Sequence, residues 1–136
     1  MDKTTVGQTK NAGYQIGARR TLAIHPDDAW RLLTSPEGLS IWLHPQANLE
    51  LIPGAYYKLP DGCAGEVRVF KPGSHLRITW HPAGWERAST LQVRVIASGA
   101  KTVIAFHQEH LPDPGQREER RRFFTEALDK IEAVLS

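Results

Sequence analysis

The C-terminal stretch constrains this chain more than any other part of it. Phe123, Phe124, Ala127, Leu128, Ile131, Val134 and Leu135 recur at the i, i+3, i+4 spacing of one helix face, and the stripe is continuous over more than three turns. The spacing predicts a helix over residues 116–135. Such a helix draws its stability from an apolar surface of matching length, so the rest of the chain must build that surface. Arg117, Glu118, Glu119, Arg120, Arg121 and Arg122 lead into the stripe. They read as a solvated helix start, with Glu118 and Arg122 four apart in the favourable pairing orientation. They make a poor phosphate site, because the positive end of the helix dipole already disfavours cations there.

The surface comes from a series of strands. Residues 14–24 read as the first, with mostly apolar even positions and Arg20 as the exception. His25-Pro26-Asp27-Asp28 stops that strand and starts a helix, since proline and acids suit a first helical turn. Ala29, Trp30, Leu32 and Leu33 give this helix one apolar side. Ser35-Pro36-Glu37-Gly38 starts a second short helix with Ser35 as its cap, and His44-Pro45 ends it. Strands are then expected at 48–52, 55–59, 65–70, 75–80, 90–96 and 101–110, separated by Pro- and Gly-rich turns. The cleanest alternation is at 75–80, where Leu76, Ile78 and Trp80 share one face and His75, Arg77 and Thr79 the other. Leu91, Val93 and Val95 share a face, as do Ile104 and Phe106.

The order is strand, two short helices, a meander of strands and a long helix. Nothing alternates strand with helix, so the class is α+β, with about six to seven antiparallel strands curved around the C-terminal helix. Residues 1–12 are polar and aperiodic and read as a flexible tail; residues 13–136 read as a single domain, which suits a 136-residue chain. No stretch of about 18 apolar residues marks a membrane span, and no secretory leader is visible, so the expected location is cytoplasmic. A net charge of +2, from 17 basic and 15 acidic residues, is too balanced for a nucleic-acid partner. The single cysteine, Cys63, excludes an intramolecular disulfide and reads as a small residue at a strand start.

Several stretches together resemble the branch of the START-like (SRPBCC) superfamily that contains the Hsp90 ATPase activator homologues. Residues 23–42 are similar to the family's opening, a strand followed by a Pro-led helix and ending at a Trp. Pro53-Gly54-Ala55-Tyr56 is similar to its Gly-Gly-x-aromatic turn, with Pro53 in place of one glycine. Residues 65–80 resemble its Gly-strand-Pro-Gly-strand-Thr-Trp hairpin, and residues 89–107 its last hairpin. The match runs from Gly17 to Leu135, although Arg117 to Phe124 stand where relatives often carry a Trp. The resemblance implies the helix-grip fold and a cavity between sheet and helix.

If that cavity exists, Trp42, Tyr56, Trp80, Phe106, Phe123 and Leu128 are the candidates for its walls; otherwise they fill the core. Arg20 shares a face with Leu22 and Ile24. It either holds the anionic head of a ligand or covers the sheet edge with its stem while its charge reaches water, and the second reading is preferred. Trp85 reads as a loop residue packed on the sheet edge, or as a pocket lid or dimer contact. His107 and His110 fall on opposite faces of a strand and cannot share an ion without a bulge, so no metal site is expected. Arg20, Glu66, His81, Glu86 and Glu109 are the polar groups available to an enzyme, yet no catalytic triad, phosphate loop or nucleophile elbow is present. No catalytic residue and no cofactor is therefore expected. The leading expectation is a carrier or sensor of an apolar or amphipathic small molecule. The alternatives are an interaction module with a chaperone or a second copy as partner, as the Hsp90 activators suggest, and an enzyme resembling polyketide cyclases.

Overall fold

A computed structural model describes residues 8–9 and 13–136. The expected tail over 1–12 lies outside the described residues except for Gln8–Thr9, which form a short strand, β1. It pairs with β2 (Gly13–Leu22). Two helices follow, α1 (Pro26–Leu33) and α2 (Pro36–Trp42). Both begin on a capping side chain followed by proline: His25 Nδ1 accepts from the Asp27 amide at 3.1 Å, and Ser35 Oγ accepts from the Gly38 amide at 3.1 Å. Gly38 also lets α2 cross the end of α1, because a Cβ there would stand 1.9 Å from the Leu32 carbonyl oxygen.

The meander is β3 (Tyr56–Lys58), β4 (Ala64–Lys71), β5 (His75–Trp80), β6 (Ser89–Ser98) and β7 (Lys101–Leu111). The chain ends in α3 (Pro114–Leu135), capped by Asp113, whose Oδ1 accepts from the Gln116 amide at 2.8 Å. Among the described residues the strands form one antiparallel sheet in the order β1-β2-β7-β6-β5-β4-β3. The first long strand is thus clamped to the last, with Gly17 opposite His107 and Leu22 opposite Thr102. Register shifts in the β2–β7 and β4–β5 ladders bend the sheet around α3.

The expectation of α+β architecture, with a curved sheet, two short helices and a long C-terminal helix, holds. One strand does not: residues 48–52 have no regular structure. Their place in the sheet is taken by the turn after them, where the Gly54 amide donates to the Val67 carbonyl and the Val67 amide to that of Ala55. The core lies between the inward sheet face, including Val67, Leu76, Ile78, Leu91, Val93, Ile104 and Phe106, and the α3 stripe of Phe124, Ala127, Leu128 and Ile131. Among the described residues no helix is long and apolar enough to cross a membrane.

Candidate functional site

The core does not extend to the end of the sheet where α3 begins. There the end of α2, the β3–β4 hairpin, the β5–β6 loop and the first turns of α3 enclose a cleft of about 420 Å³. Leu43, Leu59, Trp80, Trp85 and Phe123 supply its apolar walls, and Asp61, Glu119 and Arg120 its charged groups. The hairpin is fixed by Leu59 and Cys63, whose backbones bond at 2.7 Å, and by the Cys63 amide, which donates to Asp61 Oδ1 at 2.9 Å. The β5–β6 loop is fixed by His81 Nε2, 2.6 Å from the Trp85 carbonyl oxygen, and Trp85 meets Trp80 edge-on at 5.5 Å.

Arg120 forms part of the cleft lining and is only 5% exposed. Its Cζ lies 4.0 Å from the Trp80 ring centroid, 4.4 Å from that of Phe123 and 4.8 Å from that of Phe124. Aromatic faces attract a cation, more strongly when water is excluded. Nε donates to Gln108 Oε1 at 2.9 Å, Gln108 Nε2 donates to Ser89 Oγ at 2.8 Å, and Ser89 Oγ donates to the Trp80 carbonyl at 2.7 Å. These bonds orient the guanidinium from three strands at once. Burial pushes it down to about 10, so it is charged at neutral pH. No carboxylate lies within ion-pair distance of it among the described residues. Its Nη2 and the nearby Trp80 Nε1 are buried donors that find no acceptor there.

Two neighbours could become anions, and neither does at neutral pH. Burial raises the Tyr57 phenol far above its ordinary value, and its hydroxyl donates to the Thr79 carbonyl at 2.5 Å. Burial also pushes the Cys63 thiol up to about 11. Gly65 makes room for the phenol, since a Cβ there would stand 2.6 Å from the Tyr57 ring. At the exposed side of the cleft His44 Nε2 lies 3.9 Å from Asp61 Oδ2.

Of the residues singled out from the sequence, the structure brings Trp80 and Phe123 to the cleft. Trp42, Phe106 and Leu128 are sealed in the core: Trp42 Nε1 donates to the Leu33 carbonyl at 2.8 Å, and Phe106 stacks on Phe124 at 4.9 Å. Tyr56 does not line this cleft. It is 80% exposed while Tyr57 is 6% exposed, because side chains alternate along β3 and Tyr57 takes the inward position. Nor does Arg20 line it: its Nη1 holds Asp129 at 2.6 Å and Glu132 at 3.0 Å on α3, which ties the helix to β2. Nor is the basic run wholly solvated. Arg120 is buried, and Arg117 Nε donates to the Gln15 carbonyl at 2.8 Å.

Arg120 in the cleft lining and Gln108, which holds it, did not stand out in the sequence, although both carried a signal. Arg120 stands three and four residues before Phe123 and Phe124, where the helix stripe extended back one turn must pass. Gln108 stands two after Phe106 on the inward face of β7. Trp85 lies in the cleft wall rather than merely on the sheet edge. The bulge that His107 and His110 would need is present, with His110 at φ 66, but His107 Nε2 bonds Gln15 Oε1 at 3.0 Å. Among the described residues no group of three or more His, Cys, Asp or Glu could hold a metal ion.

Residues 23–136 match the family of activator of Hsp90 ATPase homolog 1-like proteins. The chain belongs to this family. It is 22% identical over 120 residues to the activator of 90 kDa heat shock protein ATPase homolog 1 of Homo sapiens, a match covering 84% of this chain and 36% of that protein. This family member thus spans about a third of the length of the curated relatives it matches. Among solved structures it is similar to CalU16 from Micromonospora echinospora, with a TM-score of 0.78 at 22% identity, covering 94% of this chain and 81% of that one. It is also similar to an Hsp90 activator from Plasmodium falciparum, with a TM-score of 0.71 at 19% identity, covering 89% and 95%. At these identities the likeness establishes the fold and leaves the use of the cleft to its own residues.

Proposed function

We propose that this domain binds an amphipathic small molecule in the cleft at the head of α3. The observation that carries the reading is the combination of an aromatic-walled space of about 420 Å³ with a buried, oriented and ion-unpaired Arg120. Ligand sites are concave, mostly apolar and supplied with a few fixed polar groups, and volumes of about 300–1,000 Å³ are usual for them. Apolar burial against Trp80, Trp85 and Phe123 supplies the affinity, and the polar groups orient the ligand. The walls named from the sequence are thereby narrowed to Trp80 and Phe123, joined by Trp85 and Leu59.

The test is an amide and indole ¹H–¹⁵N NMR titration against fatty acids, sterols, flavonoids and polyketide-like aromatics. The chain has four tryptophans, of which Trp80 and Trp85 report on the cleft, while Trp42 in the core and Trp30 against Phe70 serve as controls. Saturable shifts of the Trp80 and Trp85 indoles with still controls support the reading. An unmoved spectrum across all four compound classes sinks it.

A second reading, docking to a chaperone as an Hsp90 activator does, is favoured by the family and by Ile52 and Tyr56. These large side chains are exposed at the β3 edge of the sheet. Its measurement is the ATPase rate of Hsp90 with this chain added, compared with the Tyr56→Ala variant. An unstimulated rate removes this reading without touching the first.

A further inference from the structure

We infer that the cleft selects a planar aromatic monocarboxylate, whose carboxylate is taken by Arg120 and the Trp80 indole N–H. This rests on the cleft being a ligand site and names the chemistry of its ligand. Arg120 is a charged side chain more than nine-tenths buried, lining the cleft, with Nη2 lacking an acceptor. Trp80 lies under the same guanidinium and leaves Nε1 without an acceptor too. Buried polar groups are nearly always paired, and two orphan donors on side chains that line one cleft define the complement they lack: an acceptor with two oxygens. A carboxylate presents that pair of oxygens to a guanidinium in charge-assisted bonds. The buried groups that could have answered the charge internally, Tyr57 and Cys63, stay neutral.

The other side chains set the rest of the ligand. Trp80, Trp85 and Phe123 offer flat apolar faces. Asp61, beside His44, and Glu119 also line the cleft and are exposed, far less desolvated than Arg120. They disfavour a second negative group at the outer end, so a monoanion fits better than a dianion. An ammonium headgroup is disfavoured by Arg120 itself.

The experiment compares 2-naphthoate with methyl 2-naphthoate and 2-naphthamide on the wild-type chain by isothermal calorimetry, with ¹H–¹⁵N spectra of the Trp80 indole and the Arg120 Nε–H. Hydrogen bonds to a charged group predict that the carboxylate binds about tenfold to a hundredfold tighter than the ester. They also predict that both cross-peaks move further downfield at saturation with the acid than with the ester. Arg120→Met should collapse that preference to about one; the wild-type comparison stands alone if this variant does not fold. Equal affinity of acid and ester would overturn the carboxylate inference and leave the cleft reading intact. Absence of binding by all three probes and by the wider compound panel would overturn both.

Discussion

Removing a guanidinium from water costs several kcal/mol unless its surroundings answer the charge. Arg120 is answered in part by aromatic faces and one oriented amide, dipoles and quadrupoles that leave its Nη2 without an acceptor. The β3–β4 hairpin is part of this arrangement, because Tyr57 packs against the sheet from the inward side of β3 and Gly65 yields the space it occupies. Adjacent residues of one short strand therefore have opposite consequences. Tyr56→Ala is expected to change stability by no more than about 0.5 kcal/mol, whereas Tyr57→Ala should cost about 3–5 kcal/mol, as for the loss of a buried aromatic. Urea unfolding of the two variants checks this directly, and equal losses would contradict the assignment of the inward face.

The long helix is held to the sheet by two means of unequal strength. Phe124, Ala127, Leu128 and Ile131 are buried against the strands, while Arg20 reaches from β2 to Asp129 and Glu132, both largely exposed. Leu128→Ala should lower stability by about 2–5 kcal/mol, and Arg20→Ala by less than about 1 kcal/mol, since exposed ion pairs contribute little. Comparing the two urea midpoints, with salt added to screen the Arg20 pairs, tests which means dominates. This helix and most of the strands were legible in the sequence because their spacing was regular and their ends carried turn residues. Residues 48–52 misled because their composition suits a strand, whereas the Pro53-Gly54 turn beyond them makes the backbone bonds to Val67. The start of α3 was placed two residues late, at Gln116 rather than Pro114. Pro112-Asp113-Pro114-Gly115 is rich in turn residues that end the sheet, yet Asp113 followed by proline is also a cap and a first helical position.

The site was less legible than the fold, and the reason is assembly. Leu43, Leu59, Trp80 and Arg120 come from four separate elements, and no local pattern shows that a helix start faces a hairpin and a loop. Trp80 and Phe123 could be named from their faces, but Arg120 was hidden in a run of surface-like charges. Its burial places three titratable side chains in one electrostatic neighbourhood, and these tie the stability of the whole molecule to alkaline pH. Cys63 is ordinarily near 9.0 and is pushed up to about 11 by burial. Between these values the folded thiol keeps a proton that the unfolded chain has lost, so stability is full below pH 9 and falls as pH rises through 11. Tyr57, also raised, adds a loss of the same sign above its ordinary 10.0. Arg120 acts oppositely: above about 10 the folded guanidinium has given up a proton that the unfolded chain retains, which raises stability with pH. Between pH 9 and 10 the Tyr57 and Arg120 contributions are small and opposite in sign, so Cys63 dominates, with an expected loss of about 1 kcal/mol. Urea midpoints of the wild-type chain at the two pH values should differ by about half a molar, for a denaturant dependence of about 1–3 kcal/mol per molar. Cys63→Ala, whatever its own stability, should abolish most of that difference, and an unchanged slope in the variant would place the alkaline transition elsewhere in the molecule.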